Sequence, residues 1–154
     1  MRKKRRNRRI LFVLTITFAL TGGLLSCIFY FFSPGVQTKN IVNDFYTFEQ
    51  EADFSDSWEL LHPYMQDRWT KSEYVKDRIH VFIGHFGTET FNFTVEKDKK
   101  ITGWKMSKDL PAVGAVYKYN VIQTYKGKYG KFQFSQAVYV AKDKGEWKIL
   151  WDYN

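Results

Sequence analysis

The residues best able to do chemistry in this chain are few and poorly placed for it. The three histidines are His62, His80 and His85. His62 stands directly before Pro63 at the end of a short helical pattern, where an imidazole caps or packs. His80 and His85 are five positions apart, so on one helix they point about 140° apart and cannot share a metal ion. Cys27 is the only cysteine, which excludes an intramolecular disulfide and a thiolate metal site. Asp152 follows Trp151 in an alternating pattern that places it opposite Trp147 and Trp151, on the solvated face if those rings are core. Asp53, Asp56 and Glu59 form a small acidic cluster that helix capping and a solvated first turn explain. No carboxylate–histidine pair stands out on one face. No catalytic residue, metal ligand or cofactor is therefore expected.

The aromatic residues admit two readings. Trp58, Tyr64, Trp69, Tyr74, Tyr117 and Tyr119 could line an apolar pocket with polar tips. The preferred reading is that they fill the wide core a curved sheet leaves. Asn92-Phe93-Thr94 fits a glycosylation sequon, and nothing else in the chain points to a eukaryotic secretory protein.

The element that must position all of these is Ile10–Phe32, 23 residues without a charge. At about 1.5 Å of rise per residue it reaches roughly 34 Å, enough for a bilayer core of about 30 Å. Residues 1–9 before it hold seven of the 24 Lys and Arg residues and no acid. The rest of the chain carries 17 basic against 16 acidic residues, so the formal charge of +8 belongs to the tail. A nucleic-acid binder would carry that excess on its folded face, and nucleic acid is not expected as a partner. Seven basic residues before the span, against Lys39 alone just after it, keep the N-terminus in the cytoplasm and the C-terminal domain outside. The tail is also suited to anionic lipid headgroups, at about 1 kcal/mol per basic residue. The expected organisation is tail 1–9, transmembrane helix 10–32, linker 33–37 and an extracytoplasmic domain 38–154.

A bacterial lipoprotein is the competing reading of the same stretch. Leu24-Leu25-Ser26-Cys27 resembles a lipobox, with Cys27 as the lipidated residue. Against it, Ile28-Phe29-Tyr30-Phe31-Phe32 follow where a polar tether would stand. An aromatic cluster at that end suits the interfacial belt of a retained span.

Beyond Gly35 the period becomes helical. Ile41, Phe45, Phe48 and Ala52 form one stripe, predicting a helix from about Lys39 to Ala52 with Thr38 as its cap. Asp56-Ser57-Trp58-Glu59 reads as a capping box for a short helix stopping near His62-Pro63. Thr70-Lys71-Ser72-Glu73 reads as a second, opening a helix through about Ile83 that buries Val75, Ile79 and Phe82. From Thr88 the period drops to two. Within each strand one face collects its own set: Phe91, Phe93 and Val95; Tyr117, Tyr119 and Val121; Phe132, Phe134, Val138 and Val140; and Trp147, Ile149, Trp151 and Tyr153. Turns are marked at 126–130 and 143–145. The fold class is α+β, three helices on one face of a curved antiparallel sheet. Of the 29 aromatic residues 23 lie in the folded region, ample for its core.

This order of elements, with Leu60-Leu61-His62-Pro63, Trp69-Thr70-Lys71-Ser72-Glu73-Tyr74 and the closing Gly145-Glu146-Trp147-Lys148-Ile149-Leu150-Trp151-Asp152-Tyr153, resembles the nuclear-transport-factor-2-like (cystatin-like) superfamily. The last segment is similar to the final strand of the small N-terminal domain of methicillin-resistance-type penicillin-binding proteins, which also follows a membrane anchor. The resemblance covers roughly residues 37–153 and implies a cone-shaped fold. It does not choose among the superfamily's isomerases, dehydratases, transport factors and interaction domains. The reading that results is a membrane-anchored, non-catalytic binding or scaffolding domain with a protein partner in a bacterial cell-envelope complex. A small-molecule-binding lipoprotein and an isomerase- or dehydratase-type enzyme are the alternatives.

Overall fold

The computed structural model describes residues 2–81, 90–127 and 130–154. The chain forms two compact units, Met1–Gln37 and Thr38–Asn154. In the first, a single helix, α1 (Arg2–Phe31), contains the apolar stretch. Its segment Leu14–Phe31 has a mean hydropathy of 1.8 and no residue buried inside the protein. The helix is long and apolar enough to cross a membrane. Two of its hydroxyls bond back to the helix, Thr15 Oγ1 donating to the Phe12 carbonyl at 2.8 Å and Thr21 Oγ1 to the Thr17 carbonyl at 3.0 Å. Such bonds satisfy a hydroxyl within its own helix, as a lipid surrounding demands. Cys27 lies exposed within this helix.

Among the described residues four further helices and four strands follow: α2 (Pro34–Gln50), α3 (Phe54–Glu59), α4 (Pro63–Gln66), α5 (Lys71–Ile79), β1 (Phe91–Thr102), β2 (Ala115–Gly127), β3 (Gly130–Asp143) and β4 (Glu146–Leu150). Pro34 opens α2, because its fixed φ suits a first helical position. Residues 34–37, expected as linker, are therefore helical. The buried stripe of α2 is Thr38, Val42, Phe45, Tyr46 and Glu49, turned from the expected Ile41, Phe45, Phe48 and Ala52. The hydroxyls of Thr38 and Tyr119 lie 2.7 Å apart in the core, so Thr38 is an interior residue and not a cap. Ala52 is exposed and ends the helix at φ 59°. That left-handed residue lets the Asp53 N–H return to the Phe48 carbonyl at 2.8 Å.

The cap of α3 is Asp53 rather than Asp56. Asp53 Oδ1 accepts from the Asp56 N–H, which starts the helix early enough to bury Phe54. His62-Pro63 ends one helix and begins another, since His62 Nδ1 accepts the Tyr64 N–H at 3.2 Å and caps α4. The box at Thr70 and Glu73 is formed in both directions. Its helix, however, buries Tyr74 and turns Ile79 outward, 46% exposed. Phe82, Ile83 and His85 lie outside the described residues.

The strands form an open antiparallel sheet in the order β1-β2-β3-β4. Phe91 pairs with Tyr125, Tyr125 with Phe132, Tyr117 with Val140 and Val140 with Ile149. Residues directly opposite share a face, so the alternation expected for these strands holds. Trp151 and Tyr153 lie past the end of β4. The β3–β4 loop is Lys144-Gly145, both at positive φ, the geometry of a two-residue hairpin. On the opposite face, unforeseen cover comes from residues 103–114. Trp104 stacks on Tyr139 with centroids 4.2 Å apart, and Met106 is fully buried beneath the chain end, its carbonyl accepting the Tyr153 N–H.

Candidate functional site

On the helix-covered face of the sheet, α2 delivers a carboxylate into the core. Glu49 is the fifth member of the α2 stripe, and its side chain is 1% exposed. Burying a carboxylate is costly unless it is fully paired. Here Oε1 accepts from Ser57 Oγ at 2.5 Å and from the Tyr74 hydroxyl at 2.7 Å. Oε2 lies 2.6 Å from Arg78 Nη2. Tyr74 and Arg78 are one turn apart on α5, which lets Arg78 Nε also reach the Tyr74 oxygen at 3.2 Å. Three helices thus meet at one acid.

The electrostatics follow from this closure. Burial alone would pull the Arg78 guanidinium down, but Glu49 and the surrounding tyrosine oxygens outweigh it and hold the pKa above its usual value. Burial pushes the Tyr74 and Tyr46 hydroxyls well above the ordinary phenol range, with Glu49 adding to the rise and Arg78 opposing it. Tyr46 remains a donor, to Gln136 Oε1 at 2.9 Å. Tyr125, also raised by burial, donates to Gln123 Oε1 at 2.6 Å.

Arg78 is where this network reaches solvent. A cleft of about 460 Å³ opens beside it, lined by Val81, Gln123, Tyr125, Phe132, Gln133, Phe134, Gln136 and Trp151. A neighbouring hollow of about 190 Å³ shares Arg78, Val81 and Trp151 and adds Trp69, Tyr74 and Asp77. The guanidinium sits 5.5 Å from the centroid of the Trp151 ring. Trp151 also packs edge-on against Phe45 at 6.1 Å and tilts against Trp69 at 6.2 Å. Its Nε1–H is buried and meets no acceptor among the described residues. Phe134, 53% exposed, forms an apolar rim.

Of the six aromatic residues expected around a pocket, only Trp69 and Tyr74 line this region. Trp58 is half-buried, its Nε1 donating to the Trp69 carbonyl at 3.3 Å. Tyr64 packs on His62 with centroids 4.7 Å apart. Tyr119 is fully buried against Thr38. Tyr117 stands at the other end of the sheet, edge-on to Trp147 at 5.6 Å. Asp152 is exposed, as alternation implied, and accepts a bond from the Tyr139 hydroxyl at 3.3 Å. Asp56 and Glu59 do not join Asp53 in any shared site; Glu59 pairs instead with Lys71 at 2.7 Å.

The residues missed from sequence were Glu49, Ser57 and Arg78. One signal existed. Glu49 falls seven positions after Val42 and four after Phe45, on the apolar stripe of its helix. No protein-family model matches the chain, and no curated protein matches it either.

Proposed function

We propose that this chain is a single-pass membrane protein whose 38–154 domain lies outside the membrane and binds, without catalysis, a partner that enters the cleft beside Arg78. A bacterial cell-envelope assembly is the setting that fits an anchored domain of this kind, and the nuclear-transport-factor-2-like cone is the fold family it fits. The observation that carries the reading is the cleft itself, about 460 Å³ with Arg78, Trp151 and the exposed ring of Phe134 on its walls. The ionisable groups alongside are occupied with one another. Glu49 receives Ser57, Tyr74 and Arg78 together, an arrangement that stiffens the floor of a cleft rather than moving protons.

A second reading, a small-molecule receptor, draws on the same cleft, whose volume falls in the range of ligand sites, roughly 300–1,000 Å³. Both readings are tested by placing a photoreactive residue at Phe134 in native membranes. Adducts that vanish when Gln136→Trp fills the cleft, and weaken in Trp151→Phe, support binding there. A mass shift below that of a peptide selects the small molecule. Adducts indifferent to both substitutions overturn the cleft. For the anchored topology, a reporter active only outside the membrane and fused after Asn154 is expected to be active. Activity from a cytoplasmic reporter alone overturns that assignment.

A further inference from the structure

The end of the sheet far from the cleft carries a different surface. Tyr117 on β2 and Trp147 on β4 stand edge-to-face there, both half-buried. Three exposed lysines cover them. Lys97 and Lys100 of β1 place their ammonium groups 5.8 and 5.5 Å from the Tyr117 centroid, and Lys142 of β3 lies 5.0 Å from the centroid of Trp147. Among the described residues no ion pair engages any of the three. Two acids close in sequence pair elsewhere: Asp98 with Lys118 at 3.0 Å, and Glu146 with Lys148 at 3.1 Å.

The direction of α2 says which end this is. Thr38, near its start, meets Tyr119, whereas Gln50, at its last residue, donates to the carbonyl of Phe91, the partner of Tyr125. The helix therefore runs along β2 from 119 towards 125. Tyr117 lies beyond Tyr119 on the side from which α2 arrives. Thr38 follows Phe32 by six residues, and a chain reaches at most about 3.6 Å per residue, or roughly 20 Å here. The end of the apolar stretch cannot be farther than that from Thr38. Side chains that combine Trp and Tyr rings with lysine stems are those that settle at the boundary of a bilayer, rings among the headgroups and ammonium groups on phosphates.

We propose that the Tyr117/Trp147 platform, with Lys97, Lys100 and Lys142, docks on the anionic lipid surface of the membrane that holds the chain. This rests on the anchored reading above, though not on the cleft. Docking would hold the domain against the bilayer and turn the Arg78 cleft, at the opposite end of β2, away from it.

The test uses the full chain in bilayer discs whose acyl chains are brominated near the headgroups, with tryptophan emission as the readout. In discs of three parts phosphatidylcholine to one part phosphatidylglycerol, part of the emission should be quenched. Trp147→Phe should remove at least half of that quenching, while Trp104→Phe, on the other face of the sheet, should leave it within a tenth. Lys97→Gln/Lys100→Gln/Lys142→Gln, which changes only exposed residues, should reduce it at least twofold. So should 1 M salt, where screening shortens to about 3 Å. Equal quenching in pure phosphatidylcholine, or quenching indifferent to Trp147→Phe and to the lysine variant, overturns the proposal. A chain that fails to float with the discs overturns the anchored reading and this one with it; a floating chain without Trp147-dependent quenching overturns this one alone.

Discussion

The two ends of β2 handle positive charge in opposite ways. At the Tyr125 end, the Arg78 guanidinium is held by a carboxylate from another helix that is itself consumed by Ser57 and Tyr74. At the Tyr117 end, three lysines lie over aromatic faces, with no carboxylate among the described residues paired to them. The first arrangement is a closed account of charge, in which each group exists for the others. The second leaves its cations oriented by weak ring contacts, about 0.5–1 kcal/mol each at exposed sites, and open to an outside anion. The same residue chemistry thus supports structure in one place and recognition in the other, and burial of the counter-charge decides which.

That contrast is broken most directly at Glu49. Glu49→Ala strands Arg78 against Tyr74 and removes the acceptor of two hydroxyls, so unfolding stability should fall by about 3–5 kcal/mol. Chemical denaturation of the detergent-solubilised chain would measure it. A loss below about 1 kcal/mol would mean that the network is ornamental to the fold.

Next in size comes Trp151→Ala. The ring touches Phe45, Trp69 and the Arg78 guanidinium but is only half-buried. Its loss should cost about 2–4 kcal/mol, near the lower part of the range for large buried aromatics. Trp151→Phe should cost less than half as much, since it keeps the packing and removes an unmet donor.

His62 sharpens the comparison as a buried group kept neutral. Burial lowers its pKa, opposed by Asp143 and Asp67 and assisted by Lys148. A histidine with a depressed folded pKa binds fewer protons when folded than when unfolded. Its contribution to stability is thus complete above the unfolded pKa of about 6.5 and is lost as pH falls below it. His62→Asn, which keeps a side-chain acceptor for the Tyr64 N–H, should flatten the slope of stability against pH in that window. An unchanged slope would assign the acid sensitivity to carboxylates.

Smallest of all should be Lys142→Ala, within about 0.5 kcal/mol of the parent in the same denaturation assay. A large loss there would erase the distinction between the two ends.

How much of this was legible in the sequence depends on what kind of pattern each residue obeys. The strand faces were, because a period of two needs only the order of residues, and Phe91, Tyr117, Val140 and Ile149 share the face that their parity assigns. The Thr70 box was, because a cap is local and both of its bonds close within four residues. The α2 stripe was not. Its true face includes Thr38 and Glu49, and reading polar residues as outward-facing rotated it towards Ile41 and Phe48. Polar residues become interior only through partners 81 and 25 residues away in sequence, Tyr119 and Tyr74, and no spacing rule points to them. The cover given by Trp104 and Met106 escaped for a similar reason, since residues 103–114 carry no period and are held by the chain end. The pocket residues were drawn from the right class, Trp and Tyr, but residue type alone could not separate those lining a cleft from those filling the core.

The isolated bridge between Leu61 and Ile149 has a consequence for crowding. The His62 N–H donates to the Ile149 carbonyl at 2.9 Å, and the Ile149 N–H to the Leu60 carbonyl at 2.8 Å. The outer rim of β4 is thereby occupied by the chain's own backbone. Among the described residues the other rim is β1, where Glu96-Lys97-Asp98-Lys99-Lys100 run consecutively and the register slips between Lys97 and Lys100. An unguarded strand rim is a template for another chain to add to, and charges with an irregularity are what discourage it. Molecules confined to a surface meet one another far more often than molecules in bulk. On the anchored reading proposed above, one rim stapled shut and the other studded with charge keeps neighbours from zipping into a continuous ribbon.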